Sequence, residues 1–252
     1  VTRSAPWRSA WLVGASSGIG RDLAIRLAAE GVRTTITARS PEPLDALAAT
    51  SANLMAAPGD VSNQAALAGI FSKMSATTGV PDLIVLNAAV WDPMSVDDYS
   101  AARASASMQV NYGGVCNALE TVLPALKARR SGHIAIVASV AGYRGLSQAL
   151  AYAPTKAALI NLSEALRLEL APHNVTVSVI NPGFVDTPMT KRNDFAMPFI
   201  ISSKDAADRI YAGLLTGRFE IAFPWQLVTI LKLARILPYR VYFALARRAL
   251  GL

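Results

Sequence analysis

The sequence has one cysteine, Cys116, and only two histidines, His133 and His173. A single cysteine excludes an intramolecular disulfide and fits a reducing compartment, so a cytoplasmic protein is expected. No cluster of His, Cys, Asp and Glu has ligand spacing, and no metal centre is expected. Long hydrophobic runs are missing too: no stretch reaches the roughly 18 uncharged apolar residues that span a bilayer. The first apolar run, AWLVGA, is short and leads straight into glycines, so it reads as a strand and not as a signal peptide. Acid is missing from the whole segment after Glu220, which holds Lys232, Arg235, Arg240, Arg247 and Arg248. Most of the net charge of +7 therefore sits there, and the rest of the chain is close to neutral. No basic stripe interleaved with aromatics is left to suggest nucleic acid.

About half of the 252 residues are apolar, enough for a substantial core. Strands are read in AWLVGA, RTTITA, NLMAAPGDV, DLIVLNAA, HIAIVAS, VTVSVINPG and RFEIAF. Helices are read from Ile19 to Glu30, closed by Gly31; from Pro41; after a Ser62 cap; from Ala101 to Arg130; and from Ala151 to Ala171. The strands are continuous apolar runs rather than alternations. That pattern marks a sheet buried on both faces and built of parallel βαβ units. The fold class expected is α/β, a Rossmann-type doubly wound parallel sheet in a single domain over 1–223, with a helical C-terminal extension over 224–252. The stretch from Pro188 to Ser202 has no clear period and is expected to form a mobile loop or short helices.

Two chemistries claim VGASSGIG, Val13 to Gly20. Gly14-Ala15-Ser16-Ser17-Gly18 fits the G-x-S-x-G elbow of a hydrolase. Such an elbow needs a histidine and an acid near its serine. Both histidines instead stand where a strand begins, at the opposite edge of the sheet. As a turn from strand to helix, the same glycines let backbone approach a pyrophosphate, and a helix N-terminus offers free N–H groups. Ser16 and Ser17 then turn the loop and hydrogen-bond phosphate or ribose. An adenine ribose would lie at the end of the second strand, where an NAD site puts Asp or Glu. This chain has Ala38-Arg39-Ser40 there. A guanidinium pairs bidentately with a 2′-phosphate, so NADP(H) is expected in preference to NAD(H).

Further along, Ser139 ends the fifth strand, and Tyr152 and Lys156 follow in YAPTK. Positions i and i+4 share a helix face, so the ammonium can approach the phenol. A nearby cation favours phenolate and would lower a pKa that ordinarily lies near 10. Ser139 could hold a carbonyl oxygen beside that phenol.

The whole set resembles the short-chain dehydrogenases/reductases up to about Phe223. The matching stretches are GASSGIG (Gly14, Ser16, Ser17, Gly18, Ile19, Gly20), Asp60-Val61, NAA at Asn87, Ala88 and Ala89, Asn111 in VNYGG, Ser139, YAPTK, and NPGFVDT. The resemblance implies Tyr152 as general acid in carbonyl reduction, and Lys156 as its pKa-lowering partner and a ligand of the nicotinamide ribose. It implies Ser139 as the group that orients the carbonyl, and Asn111 as holder of a relay water. Asp60 and Val61 would contact adenine, with Asn87 to Ala89 beside the ribose. Pro182, Gly183, Val185 and Thr187 would flank the nicotinamide. A homodimer or homotetramer is expected. Three positions depart from the family: Val13 replaces a threonine thought to steady neighbouring loops, Ala89 replaces a glycine, and Pro154 lies between Tyr152 and Lys156. A proline is tolerated in a first helical turn, which puts the helix start near Ala151.

The expected activity is NADP(H)-dependent interconversion of a carbonyl and a secondary alcohol by hydride transfer. The apolar residues Tyr143, Leu146, Phe184, Met189 and Trp91 would face a hydrophobic substrate. The alternative is a non-catalytic NADP-binding sensor or scaffold. The tail reads as two short helices split at Pro238, basic and apolar. It could lie in a membrane interface through 225–252, pack on a partner subunit, or lid the active site.

Overall fold

A computed structural model describes residues 5–193 and 195–250. One sheet is built from β1 (Ser9–Val13), β2 (Arg33–Thr37), β3 (Leu54–Ala56), β4 (Leu83–Leu86), β5 (Gly132–Val137), β6 (Val175–Pro182) and β9 (Glu220–Phe223). Its order is β3-β2-β1-β4-β5-β6-β9 and every pairing is parallel. This is the Rossmann-type doubly wound arrangement. The chain steps outward from β1 to β3, crosses back, and continues from β4 on the other side, which opens a crevice at the C-terminal ends of β1 and β4.

Residues of β1 and β4 are buried throughout, as their unbroken apolar runs require. Ala10 and Leu12 join a core formed with α1 (Gly18–Ala29), α2 (Pro41–Ala48) and α7 (Ser203–Leu215). Their neighbours Trp11 and Val13 point the other way, into a core with α3 (Gln64–Thr78), α5 (Gly114–Arg129) and α6 (Ala153–Leu170). The threonines of β2 are buried as well, and Thr37 accepts a hydrogen bond from the Trp11 indole at 3.0 Å.

Local chemistry moves several expected boundaries. Asn63, not Ser62, caps α3 by accepting from Ala66 N at 3.1 Å, while the Ser62 N–H is taken by Asp60 Oδ1 at 2.8 Å. The long stretch from Ala101 is α4 (Ala101–Met108), a π-helical turn over Gln109–Gly113, and then α5. Helix α6 starts at Ala153, with Tyr152 as its N-cap and Pro154 in its first turn. Pro188 to Ser202 holds a 3₁₀ turn (Thr190–Arg192) and the two-residue strand β8 (Ile201–Ser202), which pairs with β7 (Val185–Asp186).

His133 stands at the N-terminal edge of β5, away from the crevice, buried and 2.8 Å from Ser178 Oγ. Burial pushes its pKa down to about 4. The tail forms α8 (Trp225–Ile236) and α9 (Tyr239–Leu250), parted at Pro238 as expected. Leu227, Val228 and Leu231 of α8 rest on the α5/α6 side of the core. Among the described residues, no helix is long and apolar enough to cross a membrane.

Candidate active site

The glycine loop closes against the end of β4. Gly14 N donates to Thr37 O at 2.7 Å, and Asn87 Nδ2 donates to Gly14 O at 2.6 Å. Gly14 has φ +95°, and a Cβ there would stand 2.4 Å from Ala88 N. At Gly20 a Cβ would meet Gly14 O at 2.0 Å. Only glycine permits both the backbone twist and these approaches. Ser17 is the N-cap of α1, yet its side chain makes no capping bond to the first N–H groups of that helix. Val13 is buried in the core beneath the loop, and the Asn87 amide supplies the tie between strand ends.

A cleft of about 300 Å³ runs along the C-terminal edge of the sheet. Gly14, Ser16, Ser17, Gly18, Ile19, Arg39, Asp60, Val61, Asn87, Ala88 and Ala89 line one arm. Pro182, Gly183, Val185 and Thr187 line the other, and Ser139, Tyr152 and Lys156 form its floor. Gly20 and Asn111, both expected at the site, are not among the residues that line the cleft. Arg39 is exposed at the end of β2, beside Ser40, whose hydroxyl does not cap α2. The carbonyl of Val61 accepts from Asn117 Nδ2 at 2.8 Å. Sequence reasoning missed Ala38, Gly59, Val90, Val110 and Thr190, which also line the cleft. They are ordinary loop and helix residues with no chemical signature.

Residues expected to face a substrate divide. Met189 lines the cleft, and the Trp91 ring meets Tyr152 edge-on at 4.9 Å. Phe184 packs against Phe195. Leu146 is partly exposed. Tyr143 turns away into the protein, where its hydroxyl donates to Glu220 Oε1 at 2.5 Å.

Ser139 follows β5 and caps a single 3₁₀ turn, Val140–Gly142; its Oγ accepts from Ala141 N at 3.1 Å and donates to Pro182 O at 3.3 Å. Lys156 is fully buried. Its Nζ donates to Val137 O at 2.9 Å and lies 5.4 Å from the Tyr152 ring centroid. The ammonium is thus held by the end of β5 on the side of the Tyr152 ring. Burial dominates both groups, pushing Tyr152 up to about 12 and Lys156 down to about 7, with the Ser139 hydroxyl pulling the phenol part of the way back. For Tyr152 burial dominates and acts against the lowering expected from a neighbouring lysine. At neutral pH Tyr152 holds its proton.

Asn111 sits in the π turn, whose extra residue swings it inward. Its Oδ1 accepts from Val90 N at 2.7 Å, and its Nδ2 donates to Val90 O at 3.0 Å and Thr155 Oγ1 at 3.1 Å. It ties the loop after β4 to the first turn of α6. No group of three or more acidic, His or Cys side chains is placed to hold a metal among the described residues.

A family model described as short chain dehydrogenase matches residues 8–196. The chain belongs to the short-chain dehydrogenase family. This short-chain dehydrogenase is 37% identical over 246 residues to an uncharacterized oxidoreductase of Myxococcus xanthus, covering 96% of this chain and 97% of that protein. It is 32% identical over 209 residues to an uncharacterized oxidoreductase of Staphylococcus haemolyticus, covering 82% and 90%. A solved short-chain dehydrogenase from Streptomyces avermitilis shares the fold, with a TM-score of 0.80 over 99% of this chain and 96% of that one, at 23% identity. The protein is thus an oxidoreductase of a family that uses NAD(P)(H) and small-molecule substrates. The cleft fits a dinucleotide: its loop has no room for a Cβ, and an uncapped helix N-terminus points into it.

Proposed function

We propose that this short-chain dehydrogenase interconverts a carbonyl and a secondary alcohol with NADP(H), on a hydrophobic substrate. The observation that carries the reading is the meeting of Ser139, Tyr152 and Lys156 on the floor of a cleft whose far arm is a glycine loop. Bound nicotinamide would supply hydride chemistry. Ser139 Oγ would hold the carbonyl oxygen. Tyr152, protonated at neutral pH, would give that oxygen its proton. The phenolate left behind would be stabilised by a cationic Lys156. Alcohol oxidation runs the same residues backwards, with Tyr152 accepting the proton. Asn111 would hold the loop after β4 and α6 in register. The glycine loop, Asp60-Val61, Asn87–Ala89 and the Pro182–Thr187 arm would bind the dinucleotide. Arg39, with no acid beside it, supports NADP(H).

A panel of ketones and aldehydes with NADPH and NADH tests this on wild type and Tyr152→Phe. Turnover should prefer NADPH and fall by about 10²–10⁴-fold in the variant. No Tyr152-dependent turnover across the panel would favour a non-catalytic NADP-binding sensor, and preference for NADH would remove the role given to Arg39.

A second reading concerns 224–252, which we treat as an extension that can rest on an anionic membrane surface. Its support is a stripe of apolar side chains that α8 turns to solvent, in a segment that carries no acid.

A further inference from the structure

Each of the three residues that leave the Ser139 turn is held by the C-terminal helix pair or its root. Tyr143 donates to Glu220 Oε1 at 2.5 Å; Asn181 Nδ2 donates to the same oxygen at 3.0 Å, and Lys232 of α8 pairs with the other. Arg144 donates to the carbonyls of Arg235 and Leu237, both at 3.3 Å. Those acceptors lie at the end of α8, where a helix has carbonyls without partners. The Arg144 guanidinium also lies 4.6 Å from the Tyr239 ring centroid and 4.4 Å from that of Tyr242, at the start of α9. Gly145 O accepts from the Tyr242 hydroxyl. From inside, Gly142 presses on α6: a Cβ there would stand 2.7 Å from the Lys156 carbonyl carbon.

The turn is short, and its surroundings share in holding it: Val140 and Tyr143 are buried, and Ser139 Oγ bonds Ala141 N and Pro182 O. It is one 3₁₀ turn, closed by Gly142 N to Ser139 O at 3.0 Å and Tyr143 N to Val140 O at 3.1 Å. Short 3₁₀ turns have poor hydrogen-bond geometry, and a misplacement of about 1 Å can lower a rate about a hundredfold. Its aim therefore depends on what it packs against, α6 on the inner side and the junction of α8 and α9 on the outer.

We propose that Arg144 is a positioning residue: by locking the junction of α8 and α9 onto the turn, it aims Ser139 at the substrate carbonyl. The proposal rests on the role given to Ser139 above. It makes the C-terminal helix pair part of the active-site frame, although none of its described residues lines the cleft.

The test compares Arg144→Ala, Arg144→Lys and Tyr242→Phe in the full chain. Hydrogen exchange without cofactor should show the amides of Ala141, Gly142 and Tyr143 exchanging about tenfold faster in Arg144→Ala, with β5 and the middle of α6 unchanged. In turnover, kcat should fall about tenfold with KM for NADPH unchanged. The same substitution on a Ser139→Ala background should change the remaining rate by less than about twofold, since coupled residues are not additive. Arg144→Lys should recover part of the loss, keeping the cation over the rings without the fork. Tyr242→Phe, which removes one hydroxyl, should move the same amides by a smaller factor and guards against a failure of Arg144→Ala to fold. Unchanged exchange at the turn, acceleration spread over the whole protein, or equal losses on both backgrounds would overturn the proposal. If Ser139→Ala and Tyr152→Phe keep full turnover, the active-site reading has failed, and the exchange measurement still decides whether Arg144 holds the turn.

Discussion

At and around the cleft, the buried Lys156 is tied to Val137 O, the buried Asn111 to both backbone groups of Val90, and the half-buried Asn87 to Gly14 O. In the C-terminal helix pair, apolar side chains stand in solvent: Trp225 is 69% exposed, Leu233 56% and Ile236 77%. The two regions break opposite halves of the ordinary inside–outside rule. A buried polar group without a partner would destabilise the fold, so each cleft residue comes with its own geometry. An exposed apolar stripe gives the fold nothing, so its meaning has to lie outside the chain. Substitutions in the first region should therefore disturb stability and ligand binding together. Substitutions on the outer face of the second should disturb neither.

The largest expected effect is at Gly20. A Cβ 2.0 Å from Gly14 O cannot be accommodated without opening the loop. Gly20→Ala should weaken NADPH binding more than about a hundredfold and lower stability by about 2–3 kcal/mol, within the range for overpacked sites. Gly31→Ala is the control, with φ +80° and no atom within 4 Å of the added Cβ. It should lower stability by about 1 kcal/mol and leave NADPH binding intact. Fluorescence titration with NADPH and urea unfolding measure both.

His133 tests the rule at the far edge of the sheet. Its folded pKa, about 4, lies below the usual 6.5 because burial favours the neutral ring. Between these values the unfolded chain binds a proton that the folded chain refuses. Stability is therefore fully present above pH 6.5 and is lost as pH falls towards 4, by up to about 3 kcal/mol. Urea unfolding at several pH values should show this slope, and His133→Gln should flatten it. An unchanged slope in the variant would mean that other groups carry the acid sensitivity.

Arg39 sharpens the comparison from the exposed side of the cleft. Arg39→Ala should raise KM for NADPH about tenfold, leave KM for NADH unchanged, and leave stability within about 0.5 kcal/mol, because the side chain is exposed and the proposal gives it the 2′-phosphate to hold. Equal changes with both cofactors would place the 2′-phosphate elsewhere.

What could be read from the sequence follows the same division. The seven strands of the sheet, their parallel pairing and many of the residues that line the cleft were legible because each leaves a local mark: continuous apolar runs, glycines at a turn, Tyr and Lys one helical turn apart. Ser139, Tyr152 and Lys156 do line one cleft. The state of the site was not legible, since burial sets both pKa values and burial is a property of the whole fold. Asn111 carries no sign of its π turn, whose extra residue follows from packing. Nothing in RGLSQ, the stretch that begins at Arg144, announces that its arginine closes α8 some 90 residues later. Tyr143 is apolar enough to suggest the cleft, yet a carboxylate across the sheet draws it away.

The smallest expected effect is on the outer face of α8. Leu233→Ser and Ile236→Ser together should change stability by no more than about 0.5 kcal/mol, since neither side chain is covered. They should nevertheless abolish co-sedimentation with anionic lipid vesicles, and raising the salt should weaken the wild-type protein's binding. The charge pattern favours lipid over a second copy of this face. A symmetric pairing would bring two acid-free segments together, each with four arginines besides the Lys232 that Glu220 pairs, whereas anionic headgroups neutralise them. A loss of stability in the double variant would instead mean that the stripe is covered when the protein assembles. Vesicle binding that survives the substitutions would mean that the cations act without the apolar stripe, or that another surface meets the membrane.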